Sequence, residues 1–125
     1  MGYIANLKDI VVTQLVHAGP LARRTKSSFS PDSQFQDKKV AKLYSASGRL
    51  DGYLGDWHTH PFGSHGMSSR DRRTLKQIAG CRTARVLNPV MLILSGSPWS
   101  ISAWQLSRSK LLGRSTFTLI KTEFY

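Results

Sequence analysis

A single cysteine, Cys81, stands in 125 residues, and a lone thiol cannot close an intramolecular disulfide. A disulfide-framed secreted scaffold is therefore excluded, and the cysteine usage predicts a cytoplasmic protein. Acid is scarce too: seven Asp and Glu face 18 Lys and Arg, and the only glutamate is Glu123. No run approaches the roughly 20 apolar residues of a membrane-spanning helix. The start shows no charged segment followed by an apolar core and a cleavage site, so neither a membrane nor a targeting signal is indicated. Internal repeats and low-complexity tracts are absent. Aromatic residues interleaved at base-reading spacing are missing as well, so the basic surplus does not by itself predict specific nucleic-acid recognition.

What is present fits one domain over residues 1–125. A chain of this length buries roughly two thirds of its unfolded surface, enough for a core without staples. The basic residues behind the net charge of +11 are scattered, with groups at Arg23, Arg24 and Lys26; at Lys38, Lys39 and Lys42; and at Arg70, Arg72, Arg73 and Lys76. Such a surface keeps a small protein soluble, or attracts an acidic partner.

Hydrophobic patterning predicts mixed α and β structure. Asp9 to Val16 is rich in β-branched residues and reads as a strand ended by Gly19-Pro20. A loop follows over Leu21 to Phe29. Ser30-Pro31-Asp32 supplies an N-cap, a first-turn proline and an acid for a helix running to about Ser45, with Val40, Leu43 and Tyr44 on one face and Gly48 as its stop. Gly52 to His60 reads as a strand and Ser69 to Ala79 as a second helix with Leu75, Ile78 and Ala79 inward. Cys81 follows its end and reads as a buried or inert thiol. Pro89 to Leu94 is an almost unbroken apolar run, the pattern of a strand buried on both faces. Trp99 to Leu106 and Thr116 to Thr122 complete an α+β layer structure.

Residues 58 to 71 carry the chemistry. His58 and His60, two apart on an extended segment, project from the same face because strand side chains alternate. Trp57 then points the other way, into the core. Ser68 followed by Asp71 has the spacing of a helix N-terminus, where a carboxylate in the first turn can point back at the strand end. Two imidazoles and one carboxylate leave a fourth tetrahedral position open, the arrangement of a catalytic zinc site. Singly, a pair of strand histidines or a capping box is commonplace. Together they form His-x-His, seven residues, Ser-x-x-Asp, a far more specific pattern. His65, between His60 and Ser68, reads as exposed and not a ligand, and His17 as ordinary surface.

This pattern resembles the JAMM motif of the JAB/MPN zinc metallopeptidases, and Tyr53-Leu54-Gly55-Asp56-Trp57-His58-Thr59-His60-Pro61 resembles the bacterial branch. The resemblance extends from about Gly2 to about Trp104. It implies the JAB/MPN fold, a cytidine-deaminase-like mixed sheet flanked by helices, with His58, His60 and Asp71 as zinc ligands and Ser68 donating to the oxyanion. It also implies release of a ubiquitin-like protein or peptide tail from a target, with ubiquitin-activating-like and conjugating-like proteins as partners. The segment Ala22 to Phe29 falls where relatives shape a groove for the substrate tail.

One family element has no counterpart. The resemblance implies a glutamate on an early strand, in a Glu-x-Gly-Gly setting, that takes a proton from the attacking water; Glu123 has neither that position nor glycine neighbours. Met1-Gly2-Tyr3-Ile4 resembles the segment that follows the glutamate strand, so the first strand is expected to be missing. Asp56, in phase with His58 and His60, is a candidate substitute base, against the simpler reading of a solvated strand residue. A silent MPN-like protein-binding scaffold and a RadC-like DNA-associated module are the alternatives, although the RadC histidine motif reads differently from Trp57-His58-Thr59-His60-Pro61.

Overall fold

The computed structural model describes all residues except 7, 8, 26, 27, 62, 110–112 and 125. Its contacts divide the chain into two compact units, Met1–Tyr53 and Leu54–Tyr125.

The first unit opens with an antiparallel hairpin of β1 (Gly2–Ala5) and β2 (Asp9–Val12), registered Gly2 to Val12 and Ala5 to Asp9. β2 is shorter than the strand expected to Val16. Thr13 and Gln14 donate their N–H groups to the Met1 carbonyl, and the amino terminus donates to the Gln14 carbonyl at 2.7 Å. Those bonds divert the backbone from further pairing.

The loop expected over Leu21 to Phe29 contains a small antiparallel pair, β3 (Arg23–Arg24) and β4 (Phe29–Ser30). Thr25 and Ser28 close it, Thr25 N–H donating to the Ser28 carbonyl at 2.8 Å and Ser28 N–H to Thr25 Oγ1 at 2.9 Å. Lys26 and Ser27 lie outside the described residues.

Helix α1 (Ser33–Ala46) is capped by Asp32, which accepts from Phe35 N–H at 3.1 Å, so Asp32 and not Ser30 is the N-cap. The choice is tertiary: Asp32 N–H donates to the Ala18 carbonyl at 2.8 Å and its carboxylate accepts from Leu21 N–H at 3.3 Å. Asp32→Ala should therefore cost about 1 kcal/mol, read from urea unfolding, while Ser30→Ala leaves the midpoint unchanged; the reverse pattern would return the cap to Ser30. The helix stops as expected, with Gly48 in the left-handed region at φ +67.

The second unit holds a four-stranded mixed sheet in the order β5-β6-β7-β8. β5 (Gly55–His60) runs parallel to β6 (Val90–Ser95), and the parallel pairing requires a crossover, supplied by α2 (Ser69–Gly80). β7 (Ser100–Arg108) and β8 (Ser115–Ile120) follow antiparallel. At Gly55 a side chain would collide with the Val90 carbonyl, which lets β5 start flush against β6.

The register puts Asp56, His58 and His60 on the same face as Met91, Ile93 and Ser95. Over that face lies the core: Met67, Leu75 of α2, Met91, Ile93 and Leu106, with Ile78, Ala79, Trp104 and Phe117 packed against it. Two expectations are corrected by this one-sided cover. Trp57 points away from the ligand face as alternation requires, but it is 37% exposed and not a core residue, because α2, the only helix of this unit among the described residues, lies on the other side. For the same reason the far face of β6 is covered only at its start: Met91, Ile93 and Ser95 are buried inward and Val90 is buried on the far side, while Leu92 and Leu94 are only half-buried. Cys81, expected to be buried or inert, is corrected as to burial. It caps α2 and is exposed, with Sγ 3.1 Å from Thr83 Oγ1, and that hydroxyl, aided by the Ala84 and Thr83 backbone, holds the thiol pKa below its ordinary value.

No helix among the described residues is long and apolar enough to cross a membrane. The cations of α2, Arg70, Arg72, Arg73 and Lys76, are exposed. Arg72 and Lys76 lie over the Phe117 ring at 5.5 and 5.9 Å, which orders their charged ends on the surface.

Candidate metal centre

The site forms where β5 ends and α2 begins. Strand alternation gives His58 and His60 a common direction, and their Nε2 atoms lie 2.8 Å apart. Asp71 meets them from the first turn of α2, Oδ1 standing 3.3 Å from His58 Nε2 and Oδ2 3.8 Å from His60 Nε2.

Asp71 is placed by the helix cap. Ser68 N–H donates to Asp71 Oδ2 at 2.7 Å, and Asp71 N–H donates to Ser68 Oγ at 3.2 Å, a complete capping box. The carboxylate is buried, and this reciprocal bond with the two imidazoles offsets the cost of removing it from water. One bond set therefore starts the helix and orients a ligand.

Partial burial holds the His58 pKa below the ordinary histidine value; the Asp71 charge opposes that shift, and His60 reinforces it. Desolvation thus favours the neutral imidazole, the form that donates a lone pair to a metal. His60 Nδ1 lies 3.2 Å from the Ser64 carbonyl. Donation there leaves Nε2 with its lone pair directed at the other two residues.

The three side chains fit a metal ion. Each offers one ligand atom, and these atoms all lie within 4.8 Å of one another. Two neutral nitrogens 2.8 Å apart can share at most one proton, whereas a cation accepts both lone pairs at once. Nitrogen and carboxylate donors suit zinc.

The other sequence-predicted residues take distinct places. Ser68 is the N-cap of α2 and, with Thr59, His60 and Gly66, lines an open concavity of about 500 Å³ beside the ligand cluster. Asp56 is exposed on the ligand face two residues before His58 and is not a member of the cluster. Glu123 lies beyond β8, paired with Lys121 at 2.6 Å. In the first unit, His17 is exposed and accepts from Gly19 N–H at 3.1 Å.

Sequence reasoning missed the fastening of the segment between β5 and α2. His65 is exposed and outside the ligand cluster, as expected, but it bonds to Ser95, Ser100, Ser102 and Trp104. The available signal was Ser95, a polar residue closing the apolar run of β6 in the inward phase. It is fully buried and therefore needs a partner.

Comparison with known proteins agrees with this geometry. The chain is 43% identical over 117 residues to "Probable metalloprotease y4qB" of Sinorhizobium fredii (strain NBRC 101917 / NGR234), covering 90% of this chain and 71% of that protein. It is 44% identical over 54 residues to "CD-NTase/cGAS isopeptidase" of Enterobacter hormaechei subsp. hoffmannii (strain UCI 50), a match spanning 41% of this chain and 30% of the relative. The family model described as prokaryotic homologs of the JAB domain matches residues 2–107, reaching from the first unit through nearly all of β7, and with a mixed sheet presenting His58 and His60 toward a helix-capping Asp71, the chain belongs to the prokaryotic JAB family.

Proposed function

We propose that residues 1–125 form one zinc-dependent isopeptidase domain, acting in the cytoplasm on the tail of a ubiquitin-like modifier joined to a target protein. The observation that carries this reading is the convergence of His58 Nε2, His60 Nε2 and the Asp71 carboxylate beside a concavity lined by His60 and Ser68. The names of the two relatives, a metalloprotease and an isopeptidase, support it. Ubiquitin-activating-like and conjugating-like proteins are the partners the reading implies. The exposed cations of α2 adjoin the turn that carries Asp71, so an acidic protein surface fits this end of the sheet.

His58, His60 and Asp71 would hold the zinc ion, which when bound lowers the pKa of a coordinated water to about 7 and polarises a scissile carbonyl. Hydrolysis adds the water oxygen to the carbonyl carbon and breaks the carbon–nitrogen bond. The amine leaves with a proton. Ser68 Oγ accepts from Asp71 N–H, so its own hydrogen is left to donate to the carbonyl oxygen as charge develops there. Proton transfer is the weak point of the set, because the sequence's one glutamate is paired with Lys121 beyond β8.

A general base contributes about 10² to 10⁴ in rate. The zinc-loaded chain is therefore expected to cleave a fluorogenic modifier-tail amide slowly, with activity lost to a chelator and regained on adding zinc. Loss of that activity in Asp56→Ala would make Asp56 the proton carrier. A zinc-loaded protein inert toward several ubiquitin-like substrates would instead favour a protein-binding scaffold, the reading supported by a ligand cluster that, among the described residues, holds His58, His60 and Asp71 and no glutamate.

A further inference from the structure

Among the described residues between β5 and α2, where Met67 packs into the core, His65 hydrogen-bonds to the sheet by two separate handles. Its side-chain Nδ1 lies 2.6 Å from Ser95 Oγ and 3.2 Å from Ser100 Oγ. Its backbone carbonyl accepts from Ser102 Oγ at 2.9 Å and from Trp104 Nε1 at 3.1 Å. Ser95 and Ser102 are 0% and 8% exposed. Two hydroxyls set into the inward face of β6 and β7 would each be costly without a partner, and His65 satisfies both.

The peptide fastened in this way begins at Ser64, whose carbonyl lies 3.2 Å from His60 Nδ1. A neutral imidazole carries one N–H, and donating it from Nδ1 to that carbonyl commits Nε2 to be the lone-pair atom. Nε2 is the His60 atom that faces His58 and Asp71. Ser95 also registers directly opposite His60 across the parallel β5–β6 pair, so His65 is anchored at the same level of the sheet as the ligand it serves.

Resting on the assignment of His58, His60 and Asp71 as the metal-binding set, we propose that His65 is a positioning residue for that centre. By binding the connector to β6 and β7, it holds the Ser64 carbonyl against His60 Nδ1 and keeps His60 Nε2 turned toward the ion. His65 makes no contact with the ion itself. The contribution resembles that of outer groups around other metal sites, whose loss typically weakens metal affinity by about 10- to 100-fold.

The test measures zinc affinity of the full chain by competition with a chromophoric chelator, alongside the melting temperature of each metal-free protein and the visible spectrum of its cobalt form. His65→Ala is expected to bind zinc about tenfold or more weakly and to shift the cobalt spectrum, which reports ligand geometry and not fold stability. His65→Asn, whose shorter amide offers a hydrogen-bonding group toward the same serine hydroxyls, should recover most of the affinity. Ser95→Ala, which removes the buried partner with little change of volume, should reproduce part of the loss and serves if His65→Ala does not fold. Wild-type zinc affinity and an unchanged cobalt spectrum in His65→Ala, or in Ser95→Ala where His65→Ala cannot be purified, would overturn the proposal while leaving the metal centre standing. Failure of the wild-type chain to bind zinc would overturn both.

Discussion

In a His58→Ala, His60→Ala double variant, zinc content should fall from about one ion per chain to near zero, because the change removes both nitrogen donors and leaves a lone carboxylate. Asp71 cannot hold the metal alone. It is buried and already committed to Ser68 N–H at 2.7 Å, and among the described residues no other belongs to the ligand cluster. The single variant His60→Ala should already lose most of the metal, since one imidazole and one carboxylate do not make a zinc site. The fold should survive. The His58 and His60 side chains are 32% and 23% exposed, the capping box of α2 involves neither, and the core at Leu75, Met91, Ile93 and Leu106 is untouched. Far-ultraviolet circular dichroism checks that point, and metal analysis of the dialysed proteins checks the main one. Equal zinc in the wild type and the double variant would remove the basis for reading this site as a metal centre.

The parts of this site that are local were legible in the sequence. Alternation along β5 puts His58 and His60 on one face without reference to any other element, and the three-residue spacing of Ser68 and Asp71 defines a helix start from within. Both are short-range geometry. The features that escaped depend on distant chain. The N-cap of α1 falls at Asp32 and not Ser30 because Ala18 and Leu21 hold it there. β2 ends at Val12 because Met1 claims the N–H groups of Thr13 and Gln14. Alternation gave the direction of Trp57 but not its burial, which depends on what covers that face of the sheet. His65 is the strongest case. Its partners lie 30 to 39 residues away, and no local pattern marks a loop histidine as the fastener of a buried serine.

Ser68 should prove to have two roles that separate by measurement. Ser68→Ala should lower turnover of the zinc-loaded protein by about 10² to 10³, the scale on which an oxyanion donor is missed, while zinc remains bound. The metal is retained because the bond that orients Asp71 comes from Ser68 backbone N–H, which alanine keeps. The helix loses its side-chain cap, since Asp71 N–H no longer finds Ser68 Oγ, and that loss should cost about 1 kcal/mol of stability. Such a cost alone does not slow catalysis a hundredfold in a protein that remains folded under assay conditions. Ser68→Thr keeps a hydroxyl for both roles and should restore much of the turnover; Ser68→Asn can cap a helix but presents an amide where the hydroxyl stood. Recovery of stability but not of turnover in Ser68→Asn would separate the cap from the oxyanion donor. A turnover loss in Ser68→Ala that only tracks lost zinc would show that Ser68 acts through Asp71, and the oxyanion role would have to be given up.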